Sequence, residues 1–215
     1  MSTLLVIGNK NYSSWSLRPW LAMKQAGLDF TEIRIPLDTP ETHDRILQYS
    51  PAGRVPVLIH NDLTIWDSLA IGEYLAEQFP GHWWPEESAA RAIARSVSAE
   101  MHSGFSNLRQ QMPMDCRARL PRQGRAPGVQ TDIDRVVEIW RTCRQQFGAG
   151  GDFLFGQFTF ADAMYAPVVS RFVTYEVELD KIARAYTDAI WSLPAMQEWL
   201  EAAATEPEYL AESKL

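Results

Sequence analysis

Short apolar runs and helical patterns alternate over the first part of the chain. Residues 4–7 form an apolar run that predicts a strand, residues 15–26 have the spacing of a helix, and residues 29–37 alternate with a period of two. A strand, a helix and a strand in this order predict a βαβ unit with two parallel strands. A weaker helical pattern covers residues 39–48.

The pattern then becomes that of a hairpin followed by a helix. Residues 55–66 contain two apolar runs around His60, Asn61 and Asp62, and the last two of these favour a tight turn. An amphipathic helix follows Asp67. Residues 1–80 therefore predict a compact α/β unit with the element order β-α-β-α-β-β-α.

No confident strand pattern follows residue 80. Residues 80–88 hold two prolines, a glycine and two tryptophans, which indicate a linker that we place at residues 81–88. Helical patterns then recur at residues 89–111, 131–147, 160–176, 181–192 and 194–205, with an irregular basic loop at 113–130. We expect an α/β domain at residues 1–80 and an all-α domain at residues 89–215.

The composition is that of an ordinary globular protein, and the net charge argues against one class of function. Of the 215 residues, 46% are hydrophobic and 22% are charged, and the formal net charge is −7. A negative chain argues against nucleic-acid binding, which needs a basic face. No apolar run approaches a membrane span, and the start lacks a signal-peptide pattern. We therefore expect a cytoplasmic protein with no nucleic-acid or membrane partner.

Cysteine and histidine positions do not indicate a metal site. Cys116 and Cys143 are isolated, and the four histidines are scattered along the chain. Without CxxC or Cys/His spacing, we expect no bound metal.

The dipeptide Val55-Pro56 opens the predicted hairpin and has two interpretations. A proline lacks the N–H of a strand ladder, so it commonly begins an edge strand. A cis bond there would hold backbone groups outward, where an extended peptide can pair with them. Because only ~5–6% of X-Pro bonds are cis, the dipeptide alone favours the edge strand.

The pair Asp67 and Ser68 stands where a helix is predicted to begin. A helix N-terminus offers free N–H groups to a carboxylate, and the two side chains together could hold an amino-acid head group. Simple N-capping by Asp67 explains the same pair. Taken alone, the pair favours the capping interpretation.

The stretch FTFADAMYAP at residues 158–167 has the arrangement of a capping box. Thr159 is followed three residues later by Asp162, in place of the usual Glu or Gln. We interpret this motif as a structural element that begins a helix.

Serines are concentrated in NYSSWSLRPW at residues 11–20. We expect Ser14 or Ser16 to cap the helix, with Pro19 in its first turn. No base lies near Ser13, Ser14 or Ser16 in sequence, which argues against a serine hydrolase. A hydroxyl donor at a helix N-terminus suits a different task, the stabilisation of a thiolate.

Four stretches in order resemble the glutathione transferase superfamily: SSWSLR at 13–18, VPVL at 55–58, DSLAIGEYL at 67–75 and FTFADAMYAP at 158–167. The resemblance covers essentially the whole chain and points to a serine-type, zeta/theta-like, bacterial-looking member. It implies a thioredoxin-like N-terminal domain, an all-α C-terminal domain and a homodimer. It also implies glutathione as the co-substrate and no metal.

The resemblance assigns a role to each matched residue. Ser14, or its neighbour Ser13, would contact the glutathione thiolate. The backbone of Val55, ahead of a cis Pro56, would pair with the cysteinyl part of glutathione. Arg54 stands next to them and either reaches a glutathione carboxylate or is solvated.

The same comparison changes the interpretation of the pair Asp67 and Ser68. Both residues match the acidic-Ser pair that binds the γ-glutamyl head group of glutathione. With the resemblance included, we favour ligand binding over simple capping for Ser68.

One departure from the zeta pattern bears on the reaction. Trp15 stands where that group often has cysteine, which argues against maleylacetoacetate isomerase and leaves conjugation open. We therefore expect a transferase that conjugates the glutathione thiolate to a small apolar electrophile. The alternatives are a glutathione-dependent isomerase of the maleylacetoacetate type and a non-catalytic interaction protein of the same fold.

The second substrate is expected between the two domains. Its apolar wall has as candidates Met101, Phe105, Met112, Tyr165 and Phe172. An apolar stripe at helical spacing is also typical of the core, so both interpretations stay open. The arginines of the loop at residues 113–130 are interpreted as solvated, although they could favour acidic substrates.

Overall fold

The computed structural model describes residues 2–209. The first seven elements form an α/β unit: β1 (Thr3–Ile7), α1 (Ser14–Gln25), β2 (Thr31–Arg34), α2 (Thr42–Leu47), β3 (Val57–His60), β4 (Leu63–Trp66) and α3 (Ser68–Gln78). The sheet order is β2-β1-β3-β4, with β1 parallel to β2 and β3 antiparallel to both of its neighbours. The predicted βαβ unit and the hairpin are therefore both confirmed.

The elements after the linker are helices. They are α4 (Ser88–Ser103), α5 (Ser106–Gln111), α6 (Val129–Phe147), α7 (Phe160–Thr174), α8 (Lys181–Trp191) and α9 (Pro194–Ala204). In this part of the described chain, strand-type pairing consists of two isolated β-bridges within residues 153–157. A four-stranded α/β domain followed by a helical domain is the predicted fold class. The predicted helical domain extends to residue 215, and residues 210–215 lie outside the described residues.

The start of α1 differs from the prediction by a few residues. Ser13, and neither Ser14 nor Ser16, is the N-cap. The N–H of Ser13 donates to the carbonyl of Asn9 at 2.8 Å, and this turn decides which serine occupies the cap position. Because the helix begins at Ser14, Pro19 lies inside α1 beyond its first turn.

The predicted helix at residues 89–111 is divided into α4 and α5. Gly104 ends α4, and Phe105 adopts a left-handed conformation with φ of 57°. A left-handed residue cannot continue a right-handed helix, so the chain changes direction here. Two shorter differences occur earlier, where β2 is limited to Thr31–Arg34 and α2 to Thr42–Leu47.

The central helix α7 joins the two halves of the molecule. It packs against α1 of the α/β unit and against α4 and α8 of the helical part. Its capping box is present, with Asp162 accepting from the N–H of Thr159 at 2.8 Å and of Leu154 at 3.0 Å. Gly72 on α3 lies against the ring of Phe160, so any side chain there would clash with α7. The site described next lies in the cleft between these halves.

Arg117 does not fit the interpretation of the basic loop as solvated, and for this residue the interpretation was wrong. Its guanidinium donates to the carbonyls of Glu206 at 2.8 Å and Glu208 at 2.7 Å, and it lies 4.2 Å from the ring centroid of Tyr209. The loop therefore holds the chain after α9 in place, while Arg119 is exposed as expected.

Two negative findings apply to residues 2–209. None of the helices described there is both long enough and apolar enough to cross a membrane. The same residues contain no group of three or more His, Cys, Asp or Glu side chains placed to hold a metal ion.

Candidate active site

The serine loop offers one hydroxyl to the cleft. Ser13 is only 6% exposed, and its hydroxyl donates to Ser16 Oγ at 2.7 Å, so its proton is already used. Ser14 is half-buried, and its Oγ accepts from Arg171 Nη2 at 3.3 Å. Because Ser14 accepts this bond, its own proton is available to a ligand. Both serines line the cavity between the domains.

The peptide bond between Val55 and Pro56 is cis. This decides between the two interpretations of the dipeptide in favour of the one that the resemblance implied. Within residues 2–209 the backbone N–H and C=O of Val55 form no hydrogen bond. Val55 lines the cleft, so these groups are placed for an extended ligand.

Asp67 combines capping with a contact across the cleft. Its Oδ1 accepts from the N–H groups of Leu69 at 2.9 Å and Ala70 at 3.3 Å, as predicted for an N-cap. Its Oδ2 lies 3.1 Å from Nε2 of His102 on α4. One carboxylate oxygen is therefore structural, while the other faces the helical domain.

Ser68 begins α3 and lies at the bottom of the same side of the cleft. It is 1% exposed, and its Oγ accepts from Arg18 Nη1 at 3.4 Å. The Arg18 guanidinium lies 4.1 Å from the ring centroid of Trp15, and its Nε is buried without a hydrogen-bond partner. A buried cation beneath a helix N-terminus makes this corner strongly attractive to a carboxylate.

Arg18 and Arg109 lie against the Trp15 ring, and Arg171 contacts the neighbouring Ser14. The described residues place no carboxylate in an ion pair with any of these three arginines. Burial, together with repulsion from Arg171 and Arg109, lowers the pKa of Arg18 to about 9. Burial, followed by repulsion from Arg109, lowers the pKa of Arg171 to about 10. Arg18 and Arg171 therefore both remain cations near neutral pH, in a chain that is negative overall.

Two adjoining cavities occupy the cleft, with volumes of about 670 and 660 Å³. The first extends from the serine loop to α2 and to residues 109–114, and the second contains Pro56, Asp67, Ser68 and His102. Both cavities are lined by Trp15, Arg54, Val55 and Arg109. An elongated ligand on Val55 would therefore contact both.

The expected apolar wall lies elsewhere in the structure. The side chains named for it are buried in the core, and neither cavity is lined by them: Met101, Phe105, Met112, Tyr165 and Phe172. The hydroxyl of Tyr165, for instance, donates to the carbonyl of Val97 at 3.0 Å. The apolar lining beside Ser14 comes instead from Leu37, Ile46, Pro113 and Met114.

Sequence reasoning missed four polar residues of the cleft, namely Arg18, Arg109, Arg171 and His102. For two of these residues the sequence itself carries a signal. Arg18 and Arg171 each stand in an otherwise apolar part of a helix, and an arginine that is nine-tenths buried needs a reason. Arg109 and His102 carry no such local signal, because they reach the cleft only through the packing of α4 and α5.

Comparisons with known proteins decide the family. Residues 12–78 match the family described as glutathione S-transferase, N-terminal domain, and residues 116–202 match glutathione S-transferase, C-terminal domain. The chain belongs to the glutathione S-transferase family. A probable glutathione S-transferase GSTU1 from Oryza sativa subsp. japonica is 31% identical over 172 residues, which cover 76% of this chain and 72% of the rice protein.

Two further proteins match over most of the chain. Maleylacetoacetate isomerase from Rattus norvegicus is 27% identical over 169 residues, covering 77% of this chain and 76% of the rat protein. A glutathione transferase homologue from Burkholderia, solved with bound glutathione, has a TM-score of 0.72 at 22% identity. That similarity covers 96% of this chain and 100% of the Burkholderia chain, and it supports the fold.

Proposed function

We propose that this member of the family is a glutathione transferase that conjugates the thiolate of glutathione to a small electrophile. The observation that carries the proposal is the Ser14 hydroxyl. It is oriented by Arg171 and lies on the same cavity as the unpaired backbone of Val55. A tripeptide held on Val55 would place its thiol near this hydroxyl.

Glutathione has one group for each polar part of the cleft. The cysteinyl backbone pairs with Val55, as an added strand would. The γ-glutamyl carboxylate binds the N-terminus of α3 at Ser68, above the buried Arg18, and its ammonium faces Asp67 Oδ2. Arg54 is exposed and lines both cavities, so we assign it to the glycyl carboxylate.

The chemistry requires little of the protein beyond orientation and charge. Ser14 donates a hydrogen bond to the glutathione sulfur, and the positive field of the cleft favours the thiolate over the thiol. The thiolate attacks the electrophilic carbon, a C–S bond forms and the leaving group departs with its electron pair. Trp15 and the apolar lining keep water away from the reacting carbon.

Ser14→Ala tests this assignment against Ser13→Ala. We expect Ser14→Ala to lower kcat by about 10- to 100-fold, the range for a lost hydrogen bond to a charged group. It should also raise the pKa seen in the pH profile of kcat/KM, because the thiolate loses a donor. Ser96→Ala on the exposed face of α4 is the matched control. Wild-type turnover in Ser14→Ala would overturn the serine assignment.

An isomerase of the maleylacetoacetate type is the second candidate, because the similarity to the rat enzyme covers 77% of this chain. Trp15, in the position where the zeta pattern often has cysteine, weighs against it. Assays with a maleyl-type substrate and with an aryl halide separate the two reactions. Turnover of the maleyl compound alone would favour isomerisation.

Three finer assignments are proposed on narrower grounds. The serine-type, zeta/theta-like subclass is supported by the motif at residues 13–18, and a relative named theta-1 matches, while a structure of the tau class matches as well. The homodimer and the cytoplasmic location follow from the resemblance and from the composition. Sedimentation of the purified chain tests the homodimer, and fractionation of the source cells tests the cytoplasmic location.

A further inference from the structure

The cavity beside Ser14 has a charge opposite to that of the whole chain. It is lined by Arg54, Arg109 and Arg171 and by one acidic residue, Asp38, while the chain carries a net charge of −7. The wall formed by the helical domain has no carboxylate at all among the described residues that line it. Such a cavity attracts anions by its local field.

Arg171 is held in this wall by neutral partners. Its Nε donates to the carbonyl of Met112 at 2.8 Å, Nη1 to that of Pro167 at 3.3 Å, and Nη2 to Ser14 Oγ at 3.3 Å. The residue is only 4% exposed. A buried guanidinium with neutral partners alone is costly unless an anion joins it. These contacts also use only part of its five N–H groups.

Arg109 completes a pair with Arg171. Its guanidinium lies 5.1 Å from the ring centroid of Trp15, and its Nη1 donates to the carbonyl of His102 at 3.2 Å. Within residues 2–209 neither Arg109 nor Arg171 has an acidic partner. Two guanidinium groups that repel each other on one cavity wall form a site for an oxyanion.

The carboxylates of glutathione do not account for this pair. In the proposed binding mode they are held by Ser68 with the N-terminus of α3 and by Arg54. Arg171 lines the cavity of the serine loop and is absent from the lining of the cavity that holds Ser68. Arg109 lines both cavities, so the two arginines share only the cavity of the serine loop, which is the space that remains for the second substrate.

We propose that the second substrate is an organic anion whose carboxylate docks between Arg109 and Arg171. Its apolar part lies against Pro113, Met114 and the Trp15 ring, with the electrophilic carbon near Ser14. This inference rests on the proposed transferase function and specifies its substrate class. It replaces the apolar electrophile expected from the sequence with one that carries a negative charge.

A matched pair of electrophiles tests the inference: 4-chloro-3,5-dinitrobenzoate, which is an anion, and its neutral methyl ester. In both, the glutathione sulfur forms a C–S bond at the carbon that bears chlorine, and the C–Cl bond breaks. Chloride leaves with the electron pair, and the thiol proton goes to solvent. Dividing each kcat/KM by the uncatalysed rate constant with glutathione removes the difference in intrinsic reactivity.

For the wild type we expect the corrected kcat/KM to favour the anion by about tenfold or more, as a charge-assisted pair allows. Arg109→Gln should remove most of this preference while changing the corrected kcat/KM for the ester by less than about threefold. Arg109→Lys should restore part of it, and Arg119→Gln, an exposed arginine outside both cavities, is the control. Equal losses for both electrophiles would show that Arg109 serves the thiolate, and would overturn the inference.

A binding measurement separates this inference from the transferase assignment. Calorimetry compares glutathione, the glutathione conjugate of the benzoate and the conjugate of its ester on wild type, Arg109→Gln and Arg171→Gln. The inference requires the benzoate conjugate to bind more tightly than the ester conjugate to the wild type, and it requires this difference to be lost in Arg109→Gln and in Arg171→Gln. If this holds without turnover, only the catalytic assignment fails. If both conjugates bind equally, the anion site is wrong even where turnover is observed.

Discussion

Glu206 connects the chain after α9 to the loop that precedes Ser13 and Ser14, the serines proposed for the active site. Its carboxylate accepts from the N–H of Lys10 at 2.7 Å and from the N–H of Asn11 at 3.0 Å, and its side chain is 6% exposed. Glu206→Ala leaves one buried and one partly buried N–H group without an acceptor. At about 1–3 kcal/mol for each unsatisfied group, we expect the free energy of unfolding to fall by about 2–6 kcal/mol.

The assay is equilibrium unfolding in urea, followed by tryptophan fluorescence and far-UV circular dichroism. Glu206→Gln keeps one acceptor oxygen and should lose about half as much free energy as Glu206→Ala. Glu208→Gln is the matched control, because Glu208 pairs with Arg34 at 3.0 Å while both side chains remain partly exposed. Such a pair contributes about 1 kcal/mol or less.

Glu206→Gln should also lower kcat more than it raises KM for glutathione. The loop from Gly8 to Ser13 orients Ser14, whereas Val55 and Ser68 lie on other elements. The reasoning is refuted if Glu206→Ala is no less stable than Glu208→Gln, because the two N–H groups would then find other partners at no cost. A stable Glu206→Gln variant with unchanged kcat would refute the link to the serine loop.

Two further predictions concern the capping box and the glutathione site. Asp162→Ala should lower the free energy of unfolding by about 2–4 kcal/mol, because the N–H groups of Leu154 and Thr159 lose their acceptor, and urea unfolding measures this. Burial raises the pKa of Asp162 from 3.8 to about 6, so the folded state binds a proton more tightly than the unfolded state. The free energy of unfolding should therefore fall as pH rises between these two values. Asp162→Ala should not show this slope. Ser68→Ala should weaken glutathione binding by about tenfold, measured by fluorescence of Trp15 and Trp66 with Ser96→Ala as control. An unchanged dissociation constant would contradict the γ-glutamyl assignment.

Local patterns in the sequence were enough for most of the secondary structure. The period-two runs, the turn at Asn61 and the caps at Asp67 and Thr159 each depend on residues a few positions apart, and the structure confirms them. Where two local choices were nearly equal, the prediction was wrong. Ser14 and Ser16 were the two caps expected for α1, and Ser13 takes that position instead. The long helical pattern from residue 89 continued past the left-handed Phe105.

The resemblance to the family singled out Ser14, Val55 and Ser68 as candidates, and the structure brings them to one cleft. The electrostatics of that cleft come from contacts distant in sequence. Arg171 reaches Ser14 across 157 positions, and Glu206 reaches Lys10 across 196. No local rule connects such residues, because their partners are chosen by how α7 and the chain after α9 pack on α1.

The chain's own sequence determined a four-stranded α/β unit followed by helices, together with the caps and turns that begin each element. Tertiary structure alone decided which side chains face the cleft. Met101 and Tyr165 have the apolar spacing that was expected of a pocket wall yet lie in the core, while Arg109 and Arg171 both line the cavity beside Ser14. Periodicity records that a helix face is covered, but only packing decides whether protein or ligand covers it.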